Sequence, residues 1–250
     1  MSRFSIIAYV RLSLVLAARS NDNDSRSEAS RLQSKPGRKR KTQDRGVATR
    51  QRIVEEALQL FSRHGFDGVG VREIAESVGV QHGLIKYHFG KKDELWREAV
   101  RLLFTRMSEI LEPEPGEADL PPAKAFEISL RRYVRYCAEH PEHARLMVQE
   151  SFRDNERLAW ASESFIRPSH DRIFPRWDIL MRDGTMPRVD PALMVYALTG
   201  AAQSIFNLAA EAKLTHGIDA CSNETIEAYS DAIIALFLPG LAKREEASGK

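Results

Sequence analysis

Residues 71–89 read VREIAESVGVQHGLIKYHF, and this stretch decides the fold of the first ordered domain. Apolar residues recur at three- and four-residue spacing in 71–78 and again in 82–89, which predicts two short helices. The connection between them opens with Gly79, and Ala75 leaves room for the helices to approach each other closely. The pattern therefore predicts a helix-turn-helix motif, whose second helix enters the major groove of DNA.

The segments on both sides of the motif continue the helical pattern. An apolar stripe predicts a helix from Thr49 to His64, and Gly65 follows as a natural end. Gly90 separates the motif from a further helix, predicted from Glu94 to about Leu111.

The second helix of the motif presents donors, an apolar group and a ring to solvent, but no carboxylate that would repel phosphate. These residues are His82, Gly83, Leu84, Lys86, Tyr87 and His88. Lys91 and Lys92 stand at the start of the next helix, where a cation opposes the helix dipole. Their placement is explained if they face DNA phosphate. The alternative is that three small helices pack as a domain without a DNA partner.

Residues 49–95 resemble the DNA-binding domain of the TetR/AcrR family of bacterial transcriptional regulators. The resemblance is carried by TRQRIVEEALQLFSRHGFDG and VREIAESVGVQHGLIKYHFGKKDEL. It implies that base edges are contacted by Arg72, His82, Leu84 and Lys86, and phosphate or sugar by Tyr87, His88 and Lys92. Gly83 would let the helix approach the DNA closely.

The chain departs from the family pattern at three places. Val69 and Gly70 stand where the family usually has Thr or Ser before the first helix of the motif, a loss of up to about 1 kcal/mol although Gly is itself a tolerable cap. Gln81 stands where Ser usually begins the second helix and is a poorer cap. Lys86 stands where Tyr is usual. Lys still reaches phosphate or guanine, so DNA binding is retained while the role of that contact changes.

The net charge of the 250-residue chain is only +2, but it is unevenly distributed. Residues 1–50 hold twelve basic and four acidic side chains, a net charge of +8, so the remaining 200 residues carry −6. The basic run at 35–41 is predicted to be an unstructured arm, either binding phosphate backbones or only solubilising the chain.

The apolar stretch at 4–18 resembles a short signal peptide, but Arg11 interrupts it and no small-residue cleavage pattern follows. It is also too short to span a membrane. We interpret it as an N-terminal extension of a cytoplasmic protein without a membrane partner. Cys137 and Cys221 lack partners at metal-ligand spacing and are predicted to be buried and reduced.

The rest of the chain is predicted to be all-α, because no segment alternates with a period of two. Residues 1–46 form the predicted disordered basic extension, 47–95 the helix-turn-helix domain, and 96–245 a helical-bundle domain for effector binding and dimerisation. Further helices are predicted at 123–139, after Pro141, through 155–182 with breaks or kinks at Pro168 and Pro175, at 193–214 and at 225–238. Asp190 and Pro191 form the start of the fourth of these.

Two late segments favour a homodimer. Residues 197–212 are rich in small side chains, and the last helix carries a broad apolar surface formed by Ile226, Tyr229, Ile233, Ile234, Phe237 and Leu238. They could build a four-helix interface with a second subunit, or an ordinary internal core. The family resemblance implies the dimer.

Aromatic and Met residues in the middle helices could line an apolar effector pocket, although such residues are more often core. The candidates are Phe126, Tyr133, Met147, Phe152, Trp160, Phe165 and Trp177. The resemblance implies a small-molecule effector whose identity the sequence does not select.

No catalytic chemistry is indicated by the sequence. His140 and His143 lack a third ligand at a readable spacing, and GxSxG, P-loop and GxGxxG motifs are absent, so no metal, cofactor or enzymatic activity is predicted.

The sequence predicts a ligand-responsive repressor that binds a palindromic operator in double-stranded DNA as a homodimer. Two alternatives remain: an effector-independent architectural factor or activator, and an all-α enzyme with an incidental helix-turn-helix.

Overall fold

The computed structural model describes residues 36–241, and no strand occurs within that range. The prediction of an all-α protein is confirmed. The helices, numbered in chain order, are α1 (Pro36–His64), α2 (Val71–Val78), α3 (His82–Phe89), α4 (Lys92–Ile110), α5 (Pro122–Glu139), α6 (Pro141–Ser151), α7 (Glu156–Ala161), α8 (Arg167–Arg182), α9 (Pro191–Asn207), α10 (Ala209–His216) and α11 (Asn223–Phe237). A 3-10 turn covers Glu117–Asp119, and a π-helical segment, Ser162–Ile166, joins α7 to α8.

Helix α1 begins at Pro36, well before the predicted start at Thr49. Pro is favourable in the first turn of a helix, and the Lys, Arg and Gln residues that follow it are good helix formers. The prediction of an unstructured arm is therefore corrected for residues 36–46. Residues 1–35, including the apolar stretch at 4–18, lie outside the described residues.

Two apolar cores organise the described chain from Asp44 onward. The first core is built by α1 to α4, and Leu146 of α6 and Ala161 of α7 are buried in it. The second core is built mainly by α5, α8, α9 and α11. The predicted boundary at residue 95 thus falls inside the first core, because α4 runs on from it and the later helices α6 and α7 pack against it.

Two helix interruptions differ from the sequence prediction. The predicted helix 193–214 is bent by 64° at Leu208, which separates α9 from α10. Pro168 lies in the first turn of α8, directly after the π-helical segment, while Pro175 lies inside α8 without ending it. Asp190 begins α9 as predicted: its Oδ1 accepts the amide of Ala192 at 2.7 Å.

The two cysteines have different environments. Cys137 is buried as predicted, whereas Cys221 is exposed, so that part of the prediction is wrong. Cys221 lies in the turn between α10 and α11, where the chain runs over the surface. Among the described residues, no single helix is both long and apolar enough to cross a membrane, and only the bent pair α9–α10 passes that test when its members are taken together.

Candidate nucleic-acid interface

The turn between α2 and α3 has the geometry of a closed helix end. Gly79 is left-handed, with φ 74°, a backbone conformation that side chains disfavour. The amide of Gly79 donates to Glu76 O at 3.0 Å, and that of Val80 to Ala75 O at 2.9 Å. These bonds satisfy the last carbonyls of α2 and turn the chain sharply into α3.

Helix α3 lies with one side in the first core and the other in solvent. Ile85 and Phe89 are buried, as their four-residue spacing predicted. The predicted DNA-facing residues His82, Gly83, Lys86 and Tyr87 are exposed, and Leu84 and His88 are half-buried. Tyr87 is 82% exposed, which is unusual for an aromatic ring without a partner surface. The structure thus leaves the outer face of α3 free for a ligand.

Both helices of the motif begin without a side-chain cap, in agreement with the departures at Gly70 and Gln81. The amide of Gly70 donates to Glu73 Oε2 at 3.3 Å, but glycine has no side chain to return the bond. At α3 the side chain of Gln81 provides no cap, and among the first-turn amides that of Leu84 donates to the backbone oxygen of Gln81 at 2.9 Å.

Exposed cations surround α3. Arg72 lies in the first turn of α2, Lys86 on α3 and Lys91 immediately before α4, and all three are exposed. None of the three forms an ion pair with another residue of the described range. Their positive charge is therefore not neutralised internally, which favours a polyanionic partner.

Lys92 is held differently from these free cations. Its Nζ lies 4.3 Å from the centroid of the Phe66 ring, and its side chain is half-buried. Burial lowers the pKa of Lys92, and Arg157 acts in the same direction, while Asp67 and Asp93 raise it. Lys92 is thus restrained within the protein, whereas its neighbour Lys91 is free.

His88 is half-buried beside Arg50. Burial lowers the pKa of His88, and the nearby positive charge of Arg50 lowers it further. Both effects favour the neutral form of the imidazole in the unbound protein, and this form can donate or accept a hydrogen bond.

The predicted effector residues do not form one pocket. Phe126, Tyr133 and Trp177 pack on the second core, whereas Met147, Trp160 and Phe165 pack on the first. Phe152 is 80% exposed, just after the end of α6. The prediction of a single lining is corrected: periodicity identifies apolar residues but does not show which core receives them.

The second core retains a cluster of aromatic side chains with polar groups. The ring of Trp177 lies 5.9 Å from that of Phe126 and 6.0 Å from that of Phe174. Gln203 Nε2 donates to the Tyr133 hydroxyl at 3.0 Å. The indole Nε1 of Trp177 is buried and has no hydrogen-bond partner among the described residues. Leaving a buried donor unpaired costs free energy, and this N–H would be satisfied by donating to an oxygen of a bound ligand.

The predicted dimerisation helices divide their apolar residues between the core and the surface. In α11 and the residue after it, Ile226, Ile233 and Leu238 are buried internally, and Tyr229, Ile234 and Phe237 are half-buried. The exposed face of α11 carries Ala228, Ala232, Ala235 and Leu236, and that of α9 carries Leu193, Tyr196, Ala197 and Gly200. Small exposed side chains on neighbouring helices permit close helix packing with another subunit.

His140 and His143 are occupied by structural contacts. His143 is buried, and its Nδ1 lies 2.7 Å from the hydroxyl of Tyr136. Burial lowers the pKa of His143 to about 4, with a further contribution from His140. His140 Nδ1 lies 3.2 Å from Glu142 Oε1. Within residues 36–241 no group of three potential metal ligands is present.

Comparison with known sequences agrees with this geometry. Residues 53–99 match the family described as bacterial regulatory proteins, tetR family. The transcriptional repressor AcnR of Corynebacterium efficiens is 40% identical over 68 residues, which are 27% of this chain and 36% of that protein. The regulator AcrR of Shigella flexneri is 38% identical over 71 residues, 28% of this chain and 33% of that protein. The match thus spans about a third of the length of these curated relatives.

Solved structures share the fold over a longer stretch. AibR in complex with isovaleryl coenzyme A and operator DNA has a TM-score of 0.62 at 15% identity, covering 76% of this chain and 98% of that one. A HlyIIR mutant protein has a TM-score of 0.60 at 17% identity, covering 77% and 98%. The arrangement of a helix-turn-helix followed by a helical domain is therefore common to these chains.

Proposed function

We propose that this chain, which carries the DNA-binding domain of the tetR family of bacterial regulatory proteins, is a sequence-specific transcriptional regulator. Its activity would be that of a ligand-responsive repressor rather than an enzyme. The proposal places the protein in the cytoplasm, where its DNA target lies, and requires neither a cofactor nor a metal.

The observation that carries the proposal is the free outer face of α3. His82, Lys86 and Tyr87 are exposed there without an acidic neighbour on the same helix. Arg72 and Lys91 add free positive charge on both sides. A Lys side chain can donate to guanine or to phosphate, and a His side chain can hydrogen-bond to a base edge, so both suit a groove edge and the DNA backbone beside it.

A homodimer is supported by the exposed small-residue faces of α9 and α11. Packing these faces against their copies would bury Leu236 and Tyr196, which are otherwise 69% and 72% exposed. A two-fold dimer would place two copies of α3 in successive major grooves, about 34 Å apart, and so select a palindromic operator.

Effector binding is supported by the aromatic cluster around Trp177 in the second core. AibR, a protein with the same fold, has been crystallised with both a coenzyme A thioester and operator DNA. For this chain we place the effector against Phe126, Tyr133 and Trp177, where the unpaired indole donor lies. An effector would release DNA only if it binds more tightly to a second conformation of the dimer than to the DNA-bound one. In that second conformation the two recognition helices would no longer be spaced to fit successive major grooves.

The test is selection of bound duplexes from a random DNA pool by the full-length protein, followed by a metabolite screen against the recovered site. We expect a palindromic site and at least one compound that lowers its affinity. Recovery of no preferred sequence would refute sequence-specific regulation. A preferred site that no compound affects would favour the effector-independent alternative.

A further inference from the structure

Two cations from different parts of the chain share the ring of Phe66. This ring lies in the loop between α1 and α2 and belongs to the first core. Lys92 Nζ approaches its centroid to 4.3 Å and Arg157 Cζ to 3.7 Å. Lys92 begins α4 in the DNA-binding part, whereas Arg157 lies on α7, about 65 residues later in the chain.

Arg157 is fixed by partners of its own. Its Nε lies 3.3 Å from Glu150 Oε2, and Asn155 Nδ2 donates to the same oxygen at 3.1 Å. The Glu150 side chain is only 5% exposed and that of Arg157 17%, so this pair is largely shielded from water. Arg157 Nη1 also lies 3.8 Å from Asp93 Oδ1, at the second residue of α4. A planar guanidinium suits such a stacked and paired site better than an ammonium would.

The position of the Lys92 ammonium therefore depends on Arg157 in two ways. Arg157 covers the ring on which Lys92 rests, a ring that also stacks on Phe61, and it contacts Asp93, the next residue of α4. Like charge between Arg157 and Lys92 also favours a separation of the two groups, which directs the ammonium away from α7. Lys91, which lacks these contacts, is a cation beside Lys92 that is independent of α7.

The helix that carries Arg157 connects directly to the rest of the effector domain. Trp160 of α7 packs edge-on against Trp96 of α4, with ring centroids 6.1 Å apart. Directly after α7 comes the π-helical segment Ser162–Ile166, a rare geometry that is frequently found at functional sites. A shift of this segment would move α7 and Arg157 with it.

We propose that Arg157 is a positioning residue for DNA binding, which sets the place of Lys92 against the phosphate and so ties that contact to α6 and α7. The inference rests on the proposed function. Arg157 itself would not touch DNA. Its effect would pass through Phe66 and the start of α4.

The experiment measures operator affinity against salt concentration for the full-length wild type, Lys92→Ala, Arg157→Gln and the double variant, on the site recovered by selection. Loss of one phosphate contact lowers the magnitude of the log–log salt slope by about 0.9. We expect Lys92→Ala to show this loss and Arg157→Gln to show most of it, with a fall in affinity of about three- to tenfold. The double variant should lose no more than Lys92→Ala alone.

The matched control is Arg167→Gln, because the one ion pair of Arg167 within residues 36–241 is with Glu163, at 3.0 Å on the exposed surface of the C-terminal part. It should keep the wild-type slope. If circular dichroism shows that Arg157→Gln does not fold, Phe66→Leu replaces it, because this change removes the shared ring and keeps an apolar side chain. We expect Phe66→Leu to show the reduced salt slope that is predicted for Arg157→Gln.

Two results would overturn the inference. An unchanged slope in Arg157→Gln would show that Lys92 does not depend on it. Additive losses in the double variant would show that Arg157 acts independently of Lys92. Failure of the wild type to select any DNA sequence would instead refute the proposed function and is recognised before any variant is made.

Discussion

Replacement of Gly83 by Ala separates the stability of α3 from its fit to DNA. Gly83 is the second residue of α3 and has an ordinary negative φ. A Cβ built at this position meets no atom within 4 Å, so the protein itself has room for the methyl group. Because Ala is a better helix former than Gly, we expect the free energy of unfolding to rise by up to about 1 kcal/mol.

The same methyl group should weaken operator binding. If α3 enters the groove with Gly83 against the DNA, the added carbon meets a surface that leaves no space for it. Overpacking in a close interface costs about 1–3 kcal/mol, which corresponds to about 5- to 150-fold in affinity. Binding to a nonspecific duplex should change less, because such complexes depend on phosphate charge rather than on close approach.

The assay pairs urea unfolding with fluorescence-anisotropy titration of the selected operator, at one salt concentration. A more stable variant with weaker operator binding is the expected combination. If the variant binds the operator as tightly as the wild type, Gly83 does not face the DNA and the docking of α3 is wrong. Lower stability would instead contradict the open environment of its Cβ.

Three further outcomes follow from burial and charge. Leu146→Ala empties a fully buried position in the first core and should lower the free energy of unfolding by about 2–5 kcal/mol, measured in urea; a smaller loss would mean that α6 does not support that core. Leu236→Lys should shift the protein toward monomers in sedimentation velocity and weaken operator binding, whereas an intact dimer would exclude this face from the interface. The pKa of buried His143 is lowered to about 4, so the unfolded chain takes up its proton first as pH falls from 6.5. Stability should then decline by up to about 1.4 kcal/mol per pH unit between about 6.5 and 4, and His143→Gln should remove that part of the decline.

The helix-turn-helix was predictable because its signals are local. Gly65, Gly79 and Gly90 all have positive φ, and each stands at the helix end where the sequence predicted one. The buried pair Ile85 and Phe89 follows from four-residue spacing alone. Two buried apolar side chains identify the inner face of this eight-residue helix, and helical periodicity then places the other residues on the outer face. This is why the exposure of His82, Lys86 and Tyr87 could be predicted without a structure.

The packing of the predicted effector residues was less predictable because the relevant information is not local. Trp160 and Trp177 are both apolar residues on helices, yet one packs on the first core and the other on the second. Periodicity shows that such a side chain is buried but not against which helix. The bend at Leu208 could not be predicted from local sequence either. Leu is a good helix former, and no Gly or Pro lies within three residues of it to indicate a helix end.

The shared first core changes how communication between DNA and effector is to be understood. Leu146 and Ala161 come from helices of the predicted effector domain, yet both are fully buried among residues of α1 to α4. A displacement of α6 or α7 cannot leave that core unaltered, because close-packed interiors transmit small shifts rather than absorb them. The contact of Arg157 with Phe66 lies at the edge of the same packing. Under the proposed function, an effector bound near Trp177 would need to move only the segment between the two cores, and not the whole DNA-binding part, to alter the proposed phosphate contact of Lys92.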